Sequence, residues 1–195
     1  MSAAKHIDVL VYGLGAIGSF YAFILNRAPT VRLTVVARSN FSAVKERGIV
    51  LNSEILRTVA EAGQKFDLIV CANKALDQDA SAAQIAPAVD EERTTIAIIQ
   101  NGVGNEESFR IRFPRTTIIS CVTWTAATQP EPGQFEQIKS EDLQIGLYPN
   151  RDLDSKSEQV KLNRFSALLR QGNTVFNVVP DIQVLRWEKV VWNVA

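Results

Sequence analysis

The stretch Gly13-Leu14-Gly15-Ala16-Ile17-Gly18 constrains the fold of this chain more than any other. Its glycines fall as G-x-G-x-x-G. Before them runs Ile7–Tyr12, an apolar strand-like segment; after them come a helical stretch, about Ser19–Arg27, and a second strand, Leu33–Val36. Glycine runs of this kind arise by chance, and an ordinary glycine-rich βα turn is the competing reading. Framed by β-turn-α-β, however, the pattern marks a dinucleotide site. Gly13 permits the tight turn, Gly15 lets the backbone close on a pyrophosphate, and Gly18 lets the helix lie close to the strand. The pyrophosphate would then meet the free N–H groups and the positive dipole end of that helix.

The end of the second strand bears on which dinucleotide binds. An NAD-selective site usually carries an Asp or Glu there, bound to the ribose 2′-hydroxyl. Here the chain reads Val35-Val36-Ala37-Arg38-Ser39-Asn40, and Arg38 stands where the acid is expected. A guanidinium pairs bidentately with a 2′-phosphate and gains nothing comparable from a neutral hydroxyl. Against a plain surface arginine, this favours NADP(H).

Composition narrows the class. The chain has 195 residues, 46% hydrophobic and 22% charged, with a net charge of zero. That is ordinary for a globular protein with one sizeable core. Without a basic stripe, nucleic acid and anionic membrane are poor partners, and no apolar run approaches a membrane span. Cys71 and Cys121 sit in apolar, strand-like runs and read as buried thiols rather than a disulfide or metal ligands. His6 is the single histidine, which argues against a multi-histidine metal site. The cytoplasm is the default location.

Further elements follow in order. Ser39 or Asn40 can cap a short helix, Phe41–Arg47, stopped by Gly48. Ile49–Asn52 and Ile55–Ala60 read as short strands, and Phe66–Ala72 as a buried parallel strand. A helix over Asp77–Ala88, a strand over Thr94–Ile99, a helix over Asn105–Phe113 and a strand over Thr117–Thr125 come next. Gln129–Gly133 is a turn, and Gln134–Lys139 is expected to form a hairpin with Asp142–Leu147. Ser155–Gln171 is a helix with Leu162, Phe165, Leu168 and Leu169 on one side, closed by Gly172. Thr174–Val179 is a last strand, and Pro180-Asp181 opens a final helix. The fold expected is α/β: a Rossmann-like, doubly wound sheet, mostly parallel, with an antiparallel extension. The apolar final helix, rising through Trp187 and Trp192 with no cationic last turn, suggests a polypeptide cut within a larger protein.

In such a sheet, ligands sit outside the carboxyl ends of the strands. Beyond the glycine turn, three segments reach that edge. Lys74, just after a buried strand, is placed for a cofactor ribose or phosphate, or is a solvated lysine at a strand exit. Asn101, within Gln100-Asn101-Gly102-Val103-Gly104, suits a nicotinamide ribose or a substrate oxygen, or is a turn asparagine. Arg186, Lys189 and Asn193 share one face of the final helix, a spacing also expected of its wet side.

These motifs in this order resemble the ketopantoate reductases (2-dehydropantoate 2-reductases): the glycine turn, Arg38, Lys74 after Cys71-Ala72-Asn73, Gln100–Gly104, and Trp187-Glu188-Lys189-Val190-Val191-Trp192-Asn193. The resemblance covers essentially the whole chain. It implies a Rossmann domain, residues 1–179, followed by the start, residues 180–195, of an all-helical substrate and dimerisation domain that is truncated here. It also implies NADPH-dependent reduction of a 2-keto acid in pantothenate synthesis. Carried over by motif, Gly13, Leu14, Gly15, Ala16, Ile17, Gly18, Arg38, Lys74 and Asn101 hold the cofactor. Asn101 and Asn193 contact substrate, and Lys189 is the catalytic acid, with its pKa lowered by burial. The chain departs from the family in three respects. The family's helical domain, with its catalytic carboxylate and further asparagine and serine contacts, is absent. The stretch from Leu51 to Phe66 is short, and Asp77 stands where glutamine is frequent, with Gln78 one place late. The alternative is a non-catalytic NADP-binding module. A homodimer through the helical domain is the assembly the resemblance points to.

Overall fold

The computed structural model describes residues 6–47 and 53–194. The first half alternates strand and helix: β1 (Ile7–Tyr12), α1 (Ala16–Asn26), β2 (Val31–Val36), α2 (Phe41–Arg47), β3 (Ser53–Leu56), β4 (Leu68–Cys71), α3 (Gln78–Ile85), β5 (Thr95–Ile98), α4 (Glu107–Arg112) and β6 (Thr117–Thr123). Then follow β7 (Ala126–Thr128), β8 (Glu136–Lys139), β9 (Leu143–Tyr148), α5 (Ser155–Gln171), β10 (Phe176–Val178) and α6 (Ile182–Val194). The main sheet runs β10-β9-β6-β5-β4-β1-β2-β3. Its first six strands in the chain are parallel and ordered 3-2-1-4-5-6, the doubly wound order that opens a ligand crevice between β1 and β4. β9 joins β6 antiparallel, with β10 parallel to β9. The expected α/β sheet with an antiparallel extension is present.

Period-two alternation splits β1 between two cores. Val9 and Val11 point into one, with Tyr21, Ala22 and Leu25 of α1 and Leu162, Phe165 and Leu169 of α5. Leu10 and Tyr12 point into the other, with Ile85 of α3, Phe109 of α4 and Phe66. Both faces are covered, so β4, β5 and β6 are buried along their whole length. Each buried Val, Leu or Ile there stabilises the fold by about 1.5–3 kcal/mol. α5 crosses α1 closely at Gly172, where a Cβ would stand 2.4 Å from the Ile24 carbonyl oxygen. Asp154 caps α5 by accepting from the Ser157 N–H at 2.9 Å.

Several boundaries differ from the sequence expectations. α1 begins at Ala16, three residues before Ser19, because the second half of the glycine motif is already helical. Thr117–Thr125 breaks at Trp124, whose N–H donates to the Asp142 carbonyl. The expected hairpin between Gln134–Lys139 and Asp142–Leu147 does not form: β8 pairs with β7, and β9 with β6. Leu143 and Ile145 are wholly buried and belong to the core sheet, whereas exposed Glu136 and Gln137 suit a surface ribbon. The strand expected at Ile55–Ala60 is Ser53–Leu56, followed by a 3₁₀ turn over Val59–Ala62; Ile49–Asn52 lies outside the described residues. Pro87 lacks the N–H a helix needs, and α3 accordingly ends at Ile85 in a second 3₁₀ turn, Ala86–Ala88. Among the described residues, no helix is long and apolar enough to cross a membrane.

Candidate functional site

Two clefts meet at the carboxyl edge of the sheet. One, of about 260 Å³, is bounded by Gly13, Leu14, Gly15, Arg38, Asn40 and Gln129. The other, of about 300 Å³, is bounded by Ile17, Asn101, Thr123, Thr125 and Lys189. Ala72, Asn73 and Lys74 line both, so the two form one trough from Arg38 to Lys189.

The Arg38 end is made largely of backbone. Gly18 is required by packing, since a Cβ there would lie 1.9 Å from the Gly13 carbonyl oxygen. Gly13 sits at φ +101°, with its open side 2.5 Å from the Asn73 nitrogen. Gly15 differs: no atom lies within 4 Å of where its Cβ would be, so its bare backbone faces open cleft. α1 starts there with no side-chain cap and no acid in its first turn, leaving its N–H groups for an anion. The donor set suits a dinucleotide diphosphate. Asn40 Nδ2 donates to the Leu14 carbonyl at 2.5 Å, tying the glycine turn to the end of β2. Arg38 is exposed and its guanidinium stands 5.9 Å from the centre of the Tyr12 ring, within cation–π range.

The centre is braced by amides. Gln100 Nε2 donates to both Asn73 oxygens, the carbonyl at 2.9 Å and Oδ1 at 3.0 Å, and Asn73 Nδ2 donates to Ser81 Oγ at 2.9 Å. Gln78 Nε2 reaches Gln100 Oε1 at 2.7 Å, and Asp77 caps α3 by accepting from the Ala80 N–H. The departure at Asp77 and Gln78 is thus a working pair: one caps the helix, the other joins the loops that follow β4 and β5.

At the far end, Lys189 reaches from α6 to the end of β6, the last of the six parallel strands. Its ammonium donates to the Thr123 carbonyl and lies 5.2 Å from the centre of the Trp124 ring. Burial, and then the positive charge of Arg186, lower its pKa to about 8. An ammonium has three donors, and one on Thr123 leaves two for a ligand.

The profile described as ketopantoate reductase PanE/ApbA matches residues 9–150. This chain belongs to the ketopantoate reductase family. It is similar to the 2-dehydropantoate 2-reductase of Mycobacterium tuberculosis, 23% identical over 190 residues, covering 95% of this chain and 60% of that protein. Among solved structures, the 2-dehydropantoate 2-reductase from Methylococcus capsulatus matches with a TM-score of 0.80 at 26% identity, over 97% of this chain and 62% of that one. A D-mandelate dehydrogenase solved with NADH and anilino(oxo)acetate shares the fold, with a TM-score of 0.78 at 19% identity, over 94% of this chain and 60% of that one. The chain spans about 60% of the length of the curated relatives it matches.

The structure brings Gly13, Leu14, Gly15, Ile17, Arg38, Lys74, Asn101 and Lys189 to the trough, with Ala16 and Gly18 in the first turn of α1 beside it. Asn193 is exposed on the last turn of α6, outside the residues that line the trough. Arg186 is not on a wet face. It is 2% exposed, and its guanidinium is paired with Glu106 Oε1 at 2.7 Å and bonded to the carbonyls of Ile98, Gln100 and Gly102. The sequence reading missed Glu106 and the cleft hydroxyls Thr123 and Thr125, which have no motif of their own. Tyr21 in α1 holds both, bonding Thr123 Oγ1 at 2.7 Å and Thr125 Oγ1 at 3.4 Å.

Proposed function

We propose that this chain is the cofactor-binding part of an NADPH-dependent reductase of a 2-keto acid, 2-dehydropantoate or a close relative, with Lys189 as the general acid. The observation that carries this reading is the trough itself: a bare-backbone anion cradle and an arginine at one end, a partly buried lysine at the other, and Lys74 between them.

NADP(H) fits the residues present. The N–H groups at Gly15 and the start of α1 would hold the diphosphate, Arg38 the 2′-phosphate, and Lys74 and Asn101 the ribose toward the nicotinamide. The cofactor supplies a hydride for the keto carbon. As charge builds on the keto oxygen, the Lys189 ammonium hydrogen-bonds it and donates the proton. A positioned donor of this kind is worth about 3–4 kcal/mol in the transition state. A pKa of about 8 keeps Lys189 protonated at neutral pH while leaving it acidic enough to transfer. Asn101 and Asn193 would orient the substrate. On family likeness we place the reaction in the cytoplasm and in pantothenate synthesis. Residues 180–195 we read as the start of a helical substrate and dimerisation domain.

The test is NADPH oxidation with 2-dehydropantoate by the protein at the full length of its relatives, beside NADPH titration of the 195-residue chain. Turnover in the first and binding in the second is the expected outcome. Binding without oxidation in both would mark a dinucleotide-binding module instead, and no binding in either would sink the reading.

A further inference from the structure

We propose that Arg186 is the positioning residue of this site: by locking α6 onto the Gln100–Gly104 loop, it fixes where Lys189 stands and sets the electric field around it. The inference rests on the role given to Lys189 above.

The geometry is that of a clamp. The Arg186 guanidinium bonds the Gln100 carbonyl at 2.8 Å, the Gly102 carbonyl at 2.7 Å and the Ile98 carbonyl at 3.2 Å. Its Nε reaches Ser120 Oγ on β6 and Glu106 Oε1 just before α4. Ser120 Oγ donates to the same Glu106 oxygen, and Gln183 Nε2 does so at 3.2 Å from the first turn of α6. One side chain therefore joins the end of β5, the loop carrying Asn101, β6 and α6. Both ions are almost wholly buried, at 1% and 0% side-chain exposure, so the pair is costly to build and needs its hydrogen bonds. A wet-face arginine would need none of this. The clamp lies one helical turn before Lys189, so the loop and the ammonium on the two walls of the cleft share one anchor.

Charge follows from place. Arg186 is the fixed cation nearest Lys189 in the chain, and it disfavours a second positive charge there. Lys74 is the other cation lining the cleft. From β6 and its end, Lys189 meets the Thr123 carbonyl and the Trp124 ring. The Tyr21 hydroxyl behind Thr123 is pushed up by burial and stays neutral, as does the Cys121 thiol beside Arg186. Glu188 adjoins Lys189 in α6 but is exposed, and Glu106 partly offsets the guanidinium.

The experiment titrates Lys189 directly, by ¹³C NMR of reductively methylated protein, with the signal assigned by its loss in Lys189→Arg. It needs neither cofactor nor turnover. In an Arg186→Met/Glu106→Gln double variant, which buries no unpaired charge, the midpoint should move up from about 8 toward the ordinary lysine value. In Glu106→Gln, which keeps the guanidinium, it should stay or move down. In Arg186→Lys, which keeps the charge but loses the forked grip, it should stay low while kcat for keto-acid reduction drops and the KM for NADPH holds. A rise in Glu106→Gln equal to that in the double variant would mean that loosened packing alone sets the midpoint, and would overturn the proposal. So would an unmoved midpoint in the double variant. Should that variant not fold, a rise in Glu106→Gln or Arg186→Lys overturns it and two low midpoints support it. Shifts as expected without any reductase turnover would sink the functional reading and leave the clamp standing; turnover without the shifts would do the reverse.

Discussion

At its Arg38 end the trough is built from neighbours in sequence, and at its Lys189 end from strangers. The glycine turn, the start of α1 and the end of β2 all fall within Gly13–Asn40 and supply six of the ten residues lining that cleft. The Lys189 end is assembled by Arg186, whose partners lie 66 to 88 residues away. A local, backbone-made site is robust to side-chain change except where an atom has no room. A site made of distant side chains depends on each of them. Its helix also carries exposed aromatic side chains, Trp187 at 58% and Trp192 at 68%.

That contrast can be broken by substitution. The largest effect is expected at Lys189. In the protein at its relatives' length, Lys189→Ala should lower kcat by about 10²–10⁴-fold, the usual range for a lost general acid, with NADPH affinity nearly unchanged because Lys189 does not line the cleft of Gly13, Gly15 and Arg38. Pre-steady-state NADPH oxidation checks it, and normal turnover would remove Lys189 from the mechanism. Next is Arg38→Ala, which should weaken NADPH by roughly 1.5–3 kcal/mol, the worth of a charged hydrogen bond, and leave NADH nearly untouched. Equal losses by calorimetry would make Arg38 a structural arginine.

The glycines sharpen the comparison inside the local site. Gly18→Ala puts a methyl 1.9 Å from the Gly13 carbonyl and should cost about 1–3 kcal/mol of stability, as overpacking does. Gly15→Ala meets nothing within 4 Å and has an ordinary φ of −83°, so thermal unfolding should be unchanged while NADPH binding weakens. A Gly15→Ala protein that binds normally would show that the diphosphate does not lie on that backbone.

The same contrast explains what was legible in the sequence. The doubly wound order, the two-faced strands and the glycine-lined end of the trough follow from local pattern: period two in Ile7–Tyr12 and the glycine spacing that follows it. Strand partnership beyond β6 did not, because Gln134–Lys139 and Leu143–Tyr148 are adjacent in sequence and only burial decides that one is surface and the other core. Nor did Arg186. Helical spacing places it with Lys189 and Asn193, but whether that stripe faces water or protein depends on Glu106 and three carbonyls that no periodicity reveals. Its neighbours in the helix give no cue either, since Val184 is 52% and Trp187 58% exposed.

A smaller effect is expected at Asn193. It is exposed, outside the trough lining, so Asn193→Ala should raise the KM for the keto acid by no more than about fivefold, the worth of a single neutral hydrogen bond of about 1 kcal/mol. NADPH affinity should not move. A kcat loss as large as that of Lys189→Ala would mean that the α6 terminus closes over the cleft during turnover.

The smallest effect is the most diagnostic of the Lys189 end, because activity and stability should move in opposite directions with pH. Lys189 must carry its proton to act, so kcat/KM for reduction should fall as pH rises through about 8, by about tenfold per unit once well above it. For stability, the folded pKa lies below the unfolded value. Below about 8 both states hold the proton and the folded state bears the full cost of a partly buried ammonium. As pH climbs from about 8 toward the ordinary lysine value, only the unfolded chain keeps the proton, and that cost is relieved. Burial lowers Lys161 as well, so its titration adds a background that must be subtracted. Comparison with Lys189→Met does this, since the substitution leaves Lys161 in place. The difference in unfolding free energy between the two proteins should therefore shift in favour of the wild type as pH rises above 8, while wild-type turnover declines. Denaturant unfolding at a series of pH values reads the first and steady-state kinetics the second. If both curves fell together, the ammonium would not be buried in the folded protein, and α6 would not be clamped as the Arg186 contacts require.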